Sequence, residues 1–146
     1  YADEFLYEVQ IKELIPIIAH PERHPYLAKH PRLLHQWLRN GALVQCNIGS
    51  FTCKFGVDVK NFANLLLANN MVHFLGTDAH SVEHRHTDTT AGLEILARKV
   101  APEVLNQIII ANPAAIIADK YVDIEVPKDM KLPDEKNKGF FSSLFD

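Results

Sequence analysis

Two short segments of the sequence contain most of the residue types that could do chemistry together. The first, "IIAHPERH", contains His20, and the second, "FLGTDAHSVEHRH", contains Asp78 and His80. Asp78 and His80 are one residue apart, so at the extended end of a strand both side chains would point the same way. Carboxylate and imidazole ligands suit manganese, iron or zinc, and such an ion lowers the pKa of a bound water enough to make hydroxide near neutral pH. We therefore predict that His20, Asp78 and His80 are metal ligands.

Two arginines lie in the same segments as the predicted ligands. Arg23 is three residues past His20, and Arg85 is seven residues past Asp78. A guanidinium group offers a fork of donors that matches phosphate oxygens, and its charge stabilises the negative charge that builds up during hydrolysis. This pairing predicts a phosphate ester as substrate, with Arg23 and Arg85 as catalytic residues. The alternative is a pair of ordinary surface salt bridges.

The other histidines divide by their position relative to these segments. Those inside or beside predicted secondary structure are expected to be packed or solvated. Those next to the ligands are candidates for substrate contact or proton transfer, since imidazole titrates near neutral pH. The first group is His30, His35 and His73, and the second is His24, His84 and His86.

The two cysteines, Cys46 and Cys53, do not form a phosphatase motif. A cysteine-dependent phosphatase needs an arginine six residues after the cysteine, and these positions hold Thr52 and Val59. Two cysteines are also too few for a disulfide framework, and their spacing fits no C-x-x-C metal site. A cysteine-dependent phosphatase mechanism is therefore excluded for this chain. Both thiols are expected to be reduced and structural.

The intervening sequence predicts the elements that would bring these residues together. From residue 11 to residue 120, short apolar strands alternate with amphipathic helices, a pattern typical of β/α units around a parallel sheet or barrel. Ligands bind at the carboxyl ends of the strands in such folds, and His20 and Asp78 both follow a predicted strand. The predicted strands are residues 15–19, 42–47 and 72–76.

Several helices are predicted from apolar residues spaced three or four positions apart. One begins at Pro31 and ends before Gly41, because glycine favours the left-handed conformation that closes many helices. Its apolar face would lie against the predicted sheet. Further helical stripes are predicted within residues 1–14, 59–67 and 93–100 and from Pro102, with a last short turn beginning at Asn112 and Pro113.

Composition restricts the class of protein. The 146 residues suit one globular domain, and a formal net charge of −3 gives no field that would attract nucleic acid or an anionic membrane. The apolar runs are far shorter than the roughly 20 residues that span a bilayer, and no signal peptide opens the chain, so the expected location is the cytoplasm. Residues 127–146 form a charged tail that ends in an amphipathic aromatic segment, "GFFSSLFD". This tail either docks on a partner or is disordered.

Three segments, "PIIAHPERH", "GALVQCNIGSFTCKFG" and "FLGTDAHSVEHR", together resemble one known group of proteins in order and spacing. The group is the polymerase and histidinol phosphatase (PHP) superfamily, and within it the manganese-dependent protein-tyrosine phosphatases of bacterial capsular and exopolysaccharide systems. The likeness covers nearly the whole chain, including "ANPAAII" near residue 113.

The resemblance implies a fold and a mechanism. The fold is a distorted (β/α)7 barrel with two or three metal ions, most simply Mn²⁺ with iron, zinc or magnesium as alternatives, at the carboxyl ends of its strands. By position, His20, Asp78 and His80 would be metal ligands, and Arg23 and Arg85 would bind the substrate phosphate. A metal-bound hydroxide would attack phosphorus while the tyrosine phenolate leaves. The partner would be the phosphotyrosine tail of the kinase that regulates polysaccharide polymerisation.

One departure from the family affects the domain organisation. The family's amino-terminal H-x-H motif, a following aspartate and a central glutamate are absent here. We therefore expect residues 1–126 to be the carboxyl-terminal part of a PHP barrel, with exposed strand edges that favour homo-oligomers. Two other functions stay open: hydrolysis of a small phosphate monoester such as histidinol phosphate, and a non-catalytic remnant that binds metal or docks on the kinase.

Overall fold

Three parallel strands form the centre of the computed structural model, which describes residues 1–81, 88–125 and 127–129. They are β1 (Ile17–Ala19), β2 (Leu43–Asn47) and β3 (Phe74–Gly76), in the spatial order β1-β2-β3. In the register, Ile18 pairs with Val44 and Cys46 pairs with Leu75. The three predicted strands and their parallel arrangement are therefore confirmed, and each begins one or two residues later than predicted.

Helices and turns connect these strands along the chain. Several begin with proline, which suits the first turn of a helix because its missing N–H would have no intrahelical partner there. The elements are α1 (Ala2–Ile11), a 3₁₀ turn (Pro21–Arg23), α2 (Pro25–Lys29), α3 (Pro31–Arg39), α4 (Ile48–Phe51), α5 (Val57–Ala68), α6 (Thr90–Ala97), α7 (Pro102–Asn106), a π-helical turn (Gln107–Ala111) and α8 (Asn112–Ile117).

Helix α3 ends as the sequence predicts. Gly41 adopts the left-handed conformation with φ of 97°. The amide of Gly41 donates to the carbonyl of Leu38, and the amide of Ala42 donates to that of Trp37, both at 3.0 Å. This pair of bonds is a Schellman motif, which satisfies the last carbonyls of the helix and turns the chain directly into β2.

The carboxyl-terminal helices differ from the prediction. The sequence predicts a helix from Pro102 and a separate turn at Asn112, whereas the backbone stays helical from Pro102 to Ile117 through a π-helical turn. Pro113 has no amide hydrogen, so the ordinary helical bond cannot form there, and a wider turn precedes it. The buried Asn112 side chain donates to the carbonyl of His73 at 2.8 Å, which ties this helix to the start of β3.

The core lies between β2 and the helices around it. Val44 and Cys46 of β2 are fully buried, and α3 and α5 contribute Leu34, Leu38 and Leu66. The predicted apolar faces of α3 and α5 are thus confirmed. Of the later stripes, Leu96 is fully buried, while Ala97 and Val104 are exposed because they lie on the outer sides of α6 and α7.

The other side of β1 has no such cover in the described residues. Leu14, Ile15 and Ile17 are each more than 40% exposed, and no residue of α1 is buried. No helix among the described residues is both long enough and apolar enough to cross a membrane. Both cysteines are free, as the sequence predicts, but only Cys46 is buried as a structural thiol would be, whereas Cys53 is exposed.

Candidate active site

The end of β1 turns sharply at His20. Its amide donates to the carbonyl of Gln45 at 2.7 Å, which extends the ladder with β2, and its backbone then enters the left-handed region with φ of 38°. This conformation costs a non-glycine residue about 1–3 kcal/mol, and such strain is concentrated at functional sites. The 3₁₀ turn that follows buries Glu22 and leaves Arg23 half-buried.

The ends of all three strands meet at Asp78. Like His20, Asp78 is left-handed, with φ of 51°. The Arg23 Nη1 atom lies 3.0 Å from Asp78 Oδ2, and the Asn47 side-chain amide donates to the same oxygen at 3.4 Å. The fold thus brings together Arg23 and Asp78, which are 55 residues apart in the sequence.

A hydrogen bond from the His80 ring holds this side chain close to Asp78. Its Nδ1 atom lies 2.7 Å from the Asp78 carbonyl oxygen and 3.7 Å from Asp78 Oδ1. Because a carbonyl oxygen only accepts, Nδ1 carries the proton and donates this bond. The lone pair is then on Nε2, and this arrangement is the usual one for a histidine that binds a metal through Nε2.

A buried carboxylate, Glu22, braces the site, and the sequence reasoning did not identify it. Only 2% of Glu22 is exposed, and its Oε1 atom accepts from the Asn47 backbone amide at 2.9 Å and from the Ser50 hydroxyl at 2.7 Å. Burial first, and then the Glu22 charge, raise the pKa of the Cys46 thiol well above its usual range. Glu22 therefore fixes the backbone from which Asn47 reaches Asp78.

Phe55 is a second residue that sequence reasoning missed. The guanidinium carbon of Arg23 lies 4.5 Å from the centroid of the Phe55 ring, a cation–π geometry. Arg23 is thereby held between an aromatic face and the Asp78 carboxylate. No sequence pattern links residues 23 and 55, because the contact depends on the path of the turn after α4.

Residues at this end of the sheet include unpaired buried polar atoms. His20 Nδ1, Glu22 Oε2 and Asn47 Oδ1 are all buried and make no hydrogen bond. An unpaired buried polar atom is costly, so a ligand that satisfies such atoms would stabilise the fold. Across residues 1–81, 88–125 and 127–129, however, no three His, Cys, Asp or Glu side chains are grouped to hold a metal ion. The assignment of His20, Asp78 and His80 as ligands stays a prediction.

The remaining histidines take varied positions. His73 is 4% exposed and its Nδ1 atom accepts from the Val44 amide at 3.0 Å, so it is packed as expected. His24 stacks on His20 with ring centroids 6.0 Å apart, and the exposed His30 contacts Tyr26. Arg85, His84 and His86 lie outside the described residues, as does the predicted aromatic end of the tail.

Similarity to curated proteins extends across almost the whole chain. The tyrosine-protein phosphatase YwqE of Bacillus subtilis is 33% identical over 141 residues, which cover 97% of this chain and 54% of YwqE. The tyrosine-protein phosphatase CpsB of Streptococcus agalactiae is 26% identical over 114 residues, which cover 75% of this chain and 47% of CpsB. The chain therefore spans about half the length of the relatives it matches.

A solved structure is also similar to this chain in its fold. A chain from the crystal structures of YwqE from Bacillus subtilis and CpsB from Streptococcus pneumoniae, described as metal-dependent tyrosine phosphatases, aligns with a TM-score of 0.84 at 31% identity. The alignment covers 90% of this chain and 53% of that one. Residues 1–118 also match the family described as capsular polysaccharide synthesis, CpsB/CapC. On these matches, the chain belongs to the CpsB/CapC family.

Proposed function

We propose that this chain forms part of a metal-dependent phosphotyrosine-protein phosphatase that acts in the regulation of capsular or exopolysaccharide synthesis. The observation that carries the proposal is the junction of Arg23 with Asp78 at 3.0 Å, at the carboxyl ends of parallel strands. Relatives that are tyrosine-protein phosphatases, and a metal-dependent structural neighbour, support this activity over others that the same residue types allow.

The proposed complete fold is a distorted (β/α)7 barrel, to which these residues contribute three parallel strands. Two features of the structure support it. Strand β1 has an exposed outer edge, with Ile17 41% exposed, and further apolar side chains lie uncovered beside it at Leu14 and Ile15. A barrel would cover this edge with another strand and bury these side chains.

His20, Asp78 and His80 are the proposed metal ligands, with manganese as the proposed ion. His80 fits this role because its Nδ1–H is used by the Asp78 carbonyl, and His20 fits because its buried Nδ1 has no hydrogen-bond partner. When bound, the ion would supply Lewis-acid activation of water and of the phosphate. The resemblance to the PHP superfamily implies further ligands, from an H-x-H motif, an aspartate and a glutamate, and these would complete the site.

Arg23 is the proposed phosphate anchor. Its guanidinium has five N–H donors, and the Asp78 contact uses the Nη1 end, so other donors can reach the oxygens of a phosphate ester. Stacking on Phe55 reduces the rotamer freedom that binding would otherwise remove. The charge would stabilise the phosphate in the transition state. Arg85 is proposed as a second anchor in the same role.

The proposed substrate is the phosphotyrosine tail of the bacterial tyrosine kinase that regulates polysaccharide polymerisation, and the proposed location of this protein is the cytoplasm. A test uses a hybrid protein in which the amino-terminal half of Bacillus subtilis YwqE precedes this chain. With Mn²⁺, the hybrid should hydrolyse p-nitrophenyl phosphate and a phosphotyrosine peptide, and a chelator should abolish both reactions. Preference for histidinol phosphate would instead indicate a small-molecule phosphatase.

The variant His80→Ala separates a metal ligand from a surface histidine. Loss of an outer-shell partner commonly costs 10–100-fold, so loss of a ligand should lower kcat/KM of the hybrid by about 100-fold or more. The matched control is His30→Ala, which removes an exposed histidine that contacts Tyr26 and should leave the rate within about twofold. Undiminished turnover in His80→Ala would show that the ligand assignment is wrong.

A further inference from the structure

A groove lies beside the proposed phosphate anchor and has no role in the chemistry described so far. It has a volume of about 290 Å³. Its apolar lining comes from both sides of the α4–α6 contact, and threonines, one lysine and the carboxylate of Asp88 complete its walls. The residues that bear on its use are Ile48, Lys54, Phe55, Thr77, Ala91 and Gly92.

Two residues join the groove to the active site. The Phe55 ring lines the groove and is also the ring on which the Arg23 guanidinium stacks at 4.5 Å. Thr77 lines the groove and immediately precedes Asp78. A phosphate ester bound at Arg23 would therefore have its leaving group within reach of the groove.

The groove walls are preformed. Gly49 leaves space that the Phe55 ring occupies, because a Cβ atom at Gly49 would lie only 3.2 Å from Phe55 Cε2. Cys53 and Gly56 adopt left-handed conformations, with φ of 69° and 98°, and close the tight turn that presents Phe55. On the opposite wall, α6 can approach α4 only because Gly92 has no side chain against Ile48. A rigid site costs less entropy on binding than one that must be ordered.

We propose that this groove binds the aromatic ring of phosphotyrosine and that Phe55 is a specificity-determining residue. The inference rests on the proposed phosphatase function and adds a structural basis for its choice of substrate. A cavity of about 150 Å³ is enough to bind benzene, so the groove is large enough for a phenol ring. Aromatic pairs are offset or edge-to-face at 4.5–7 Å, which a ring beside Phe55 satisfies. The short aliphatic side chain of phosphoserine would leave the groove empty.

The test compares two inhibitors with the same anionic head, phenylphosphonate and methylphosphonate, on the hybrid protein with Mn²⁺. The preference for phenylphosphonate is the inhibition constant of methylphosphonate divided by that of phenylphosphonate. In Phe55→Leu this preference should fall by about three- to tenfold, as expected for loss of one aromatic pair. A second variant, Ala91→Leu, should weaken the binding of phenylphosphonate by obstructing the groove and leave the binding of methylphosphonate unchanged. The matched control is Phe5→Leu, the same change at an exposed position of α1.

The outcomes distinguish this inference from the proposed function. If the unmodified hybrid has no metal-dependent phosphatase activity, the proposed function fails first. If the hybrid is active and prefers phenylphosphonate, but Phe55→Leu and Ala91→Leu leave the ratio unchanged, only the aryl subsite is wrong. If Phe55→Leu weakens the binding of both inhibitors equally, Phe55 only positions Arg23, and this result also overturns the inference. The kcat/KM values for phosphotyrosine and phosphoserine peptides of one sequence give a parallel measurement. The preference for the phosphotyrosine peptide should fall in the same variants in which the preference for phenylphosphonate falls.

Discussion

At the scale of single residues, burial gives His73 and His80 different environments. His73 is 4% exposed, and its Nδ1 atom is used as an acceptor by the Val44 amide. Burial lowers the pKa of His73 from 6.5 to about 4, so the ring is neutral at neutral pH. His80 is more than half exposed at its side chain and keeps a ring nitrogen for a ligand. Two histidines seven residues apart thus have different chemistry.

The lowered pKa of His73 predicts a loss of stability in mild acid. The unfolded chain takes up a proton near pH 6.5, whereas the folded chain takes it up only near pH 4, so protonation favours unfolding as the pH falls through that window. We expect the free energy of unfolding at pH 5 to be lower than at pH 7 by about 2 kcal/mol from this residue alone. Denaturant titrations at the two pH values measure it.

A matched variant isolates this contribution. His73→Asn keeps an acceptor for the Val44 amide and removes the titratable ring, while the carboxylates of Glu103, Asp123 and Glu125, which line the adjoining cavity, are unchanged. The difference in stability between pH 7 and pH 5 should therefore shrink in the variant by about the same 2 kcal/mol. An equal pH dependence in both proteins would contradict the assignment.

At the scale of elements, the site is assembled where strands become helices. The backbone at His20 and at Asp78 is left-handed, which turns each chain segment sharply at the end of β1 and of β3. Helix α4 starts directly after Asn47, so the end of β2 is equally abrupt. These short junctions bring three strand ends within reach of one carboxylate. The packing of α6 on α4 then closes the neighbouring groove.

That helix packing depends on Gly92. Alanine is favoured over glycine inside a helix by about 1 kcal/mol, so Gly92→Ala should stabilise α6 if it acted locally. Its Cβ atom would instead overlap Cγ2 of Ile48, and we expect the free energy of unfolding to fall by about 1–3 kcal/mol. In an Ile48→Ala background most of this cost should disappear, because only the approach of the Cβ atom to the Ile48 carbonyl oxygen, at 3.2 Å, would remain. The double-mutant cycle measures this coupling, and an equal cost in both backgrounds would contradict it.

At the scale of the whole molecule, the sheet is asymmetric. Strand β2 lies between two partners and is almost entirely buried, whereas β1 has one paired and one open edge among the described residues. The Pro16 carbonyl and the His20 amide both bond to β2. Alternate residues of a strand point their backbone groups to opposite sides, so Ile17 and Ala19 direct theirs to the open edge. An open edge of this kind is available for another strand.

The proposed barrel predicts which amides change on completion of the domain. In the chain alone, the amide hydrogens of Ile17 and Ala19 should exchange rapidly, since they face the open edge. In the hybrid with the amino-terminal half of YwqE, a strand paired with β1 should slow their exchange by at least about 100-fold. The His20 amide, which donates to Gln45 at 2.7 Å, is the internal control and should be protected in both proteins. Unchanged exchange at Ile17 and Ala19 would contradict the barrel.

The sequence by itself determined the elements and the residues to examine. Short apolar runs located three strands, Pro31 and Gly41 marked the limits of α3, and the spacing of Asp78 from His80 identified a polar strand end. These features depend on neighbours a few residues away, so local patterns contain them. Resemblance of the same segments to a known group also predicted the family that the comparisons show.

Only the tertiary structure decided the contacts between distant segments. Arg23 with Asp78, Glu22 with Ser50, and the Phe55 ring beneath Arg23 join residues 28 to 55 positions apart. Such contacts depend on where parallel strands end and how tightly the following helices pack, and no periodicity records either. For the same reason Glu22 was missed, because a carboxylate in a polar motif gives no local sign of burial. The sequence named the groups that could do chemistry, and the packing of strand ends chose which of them meet.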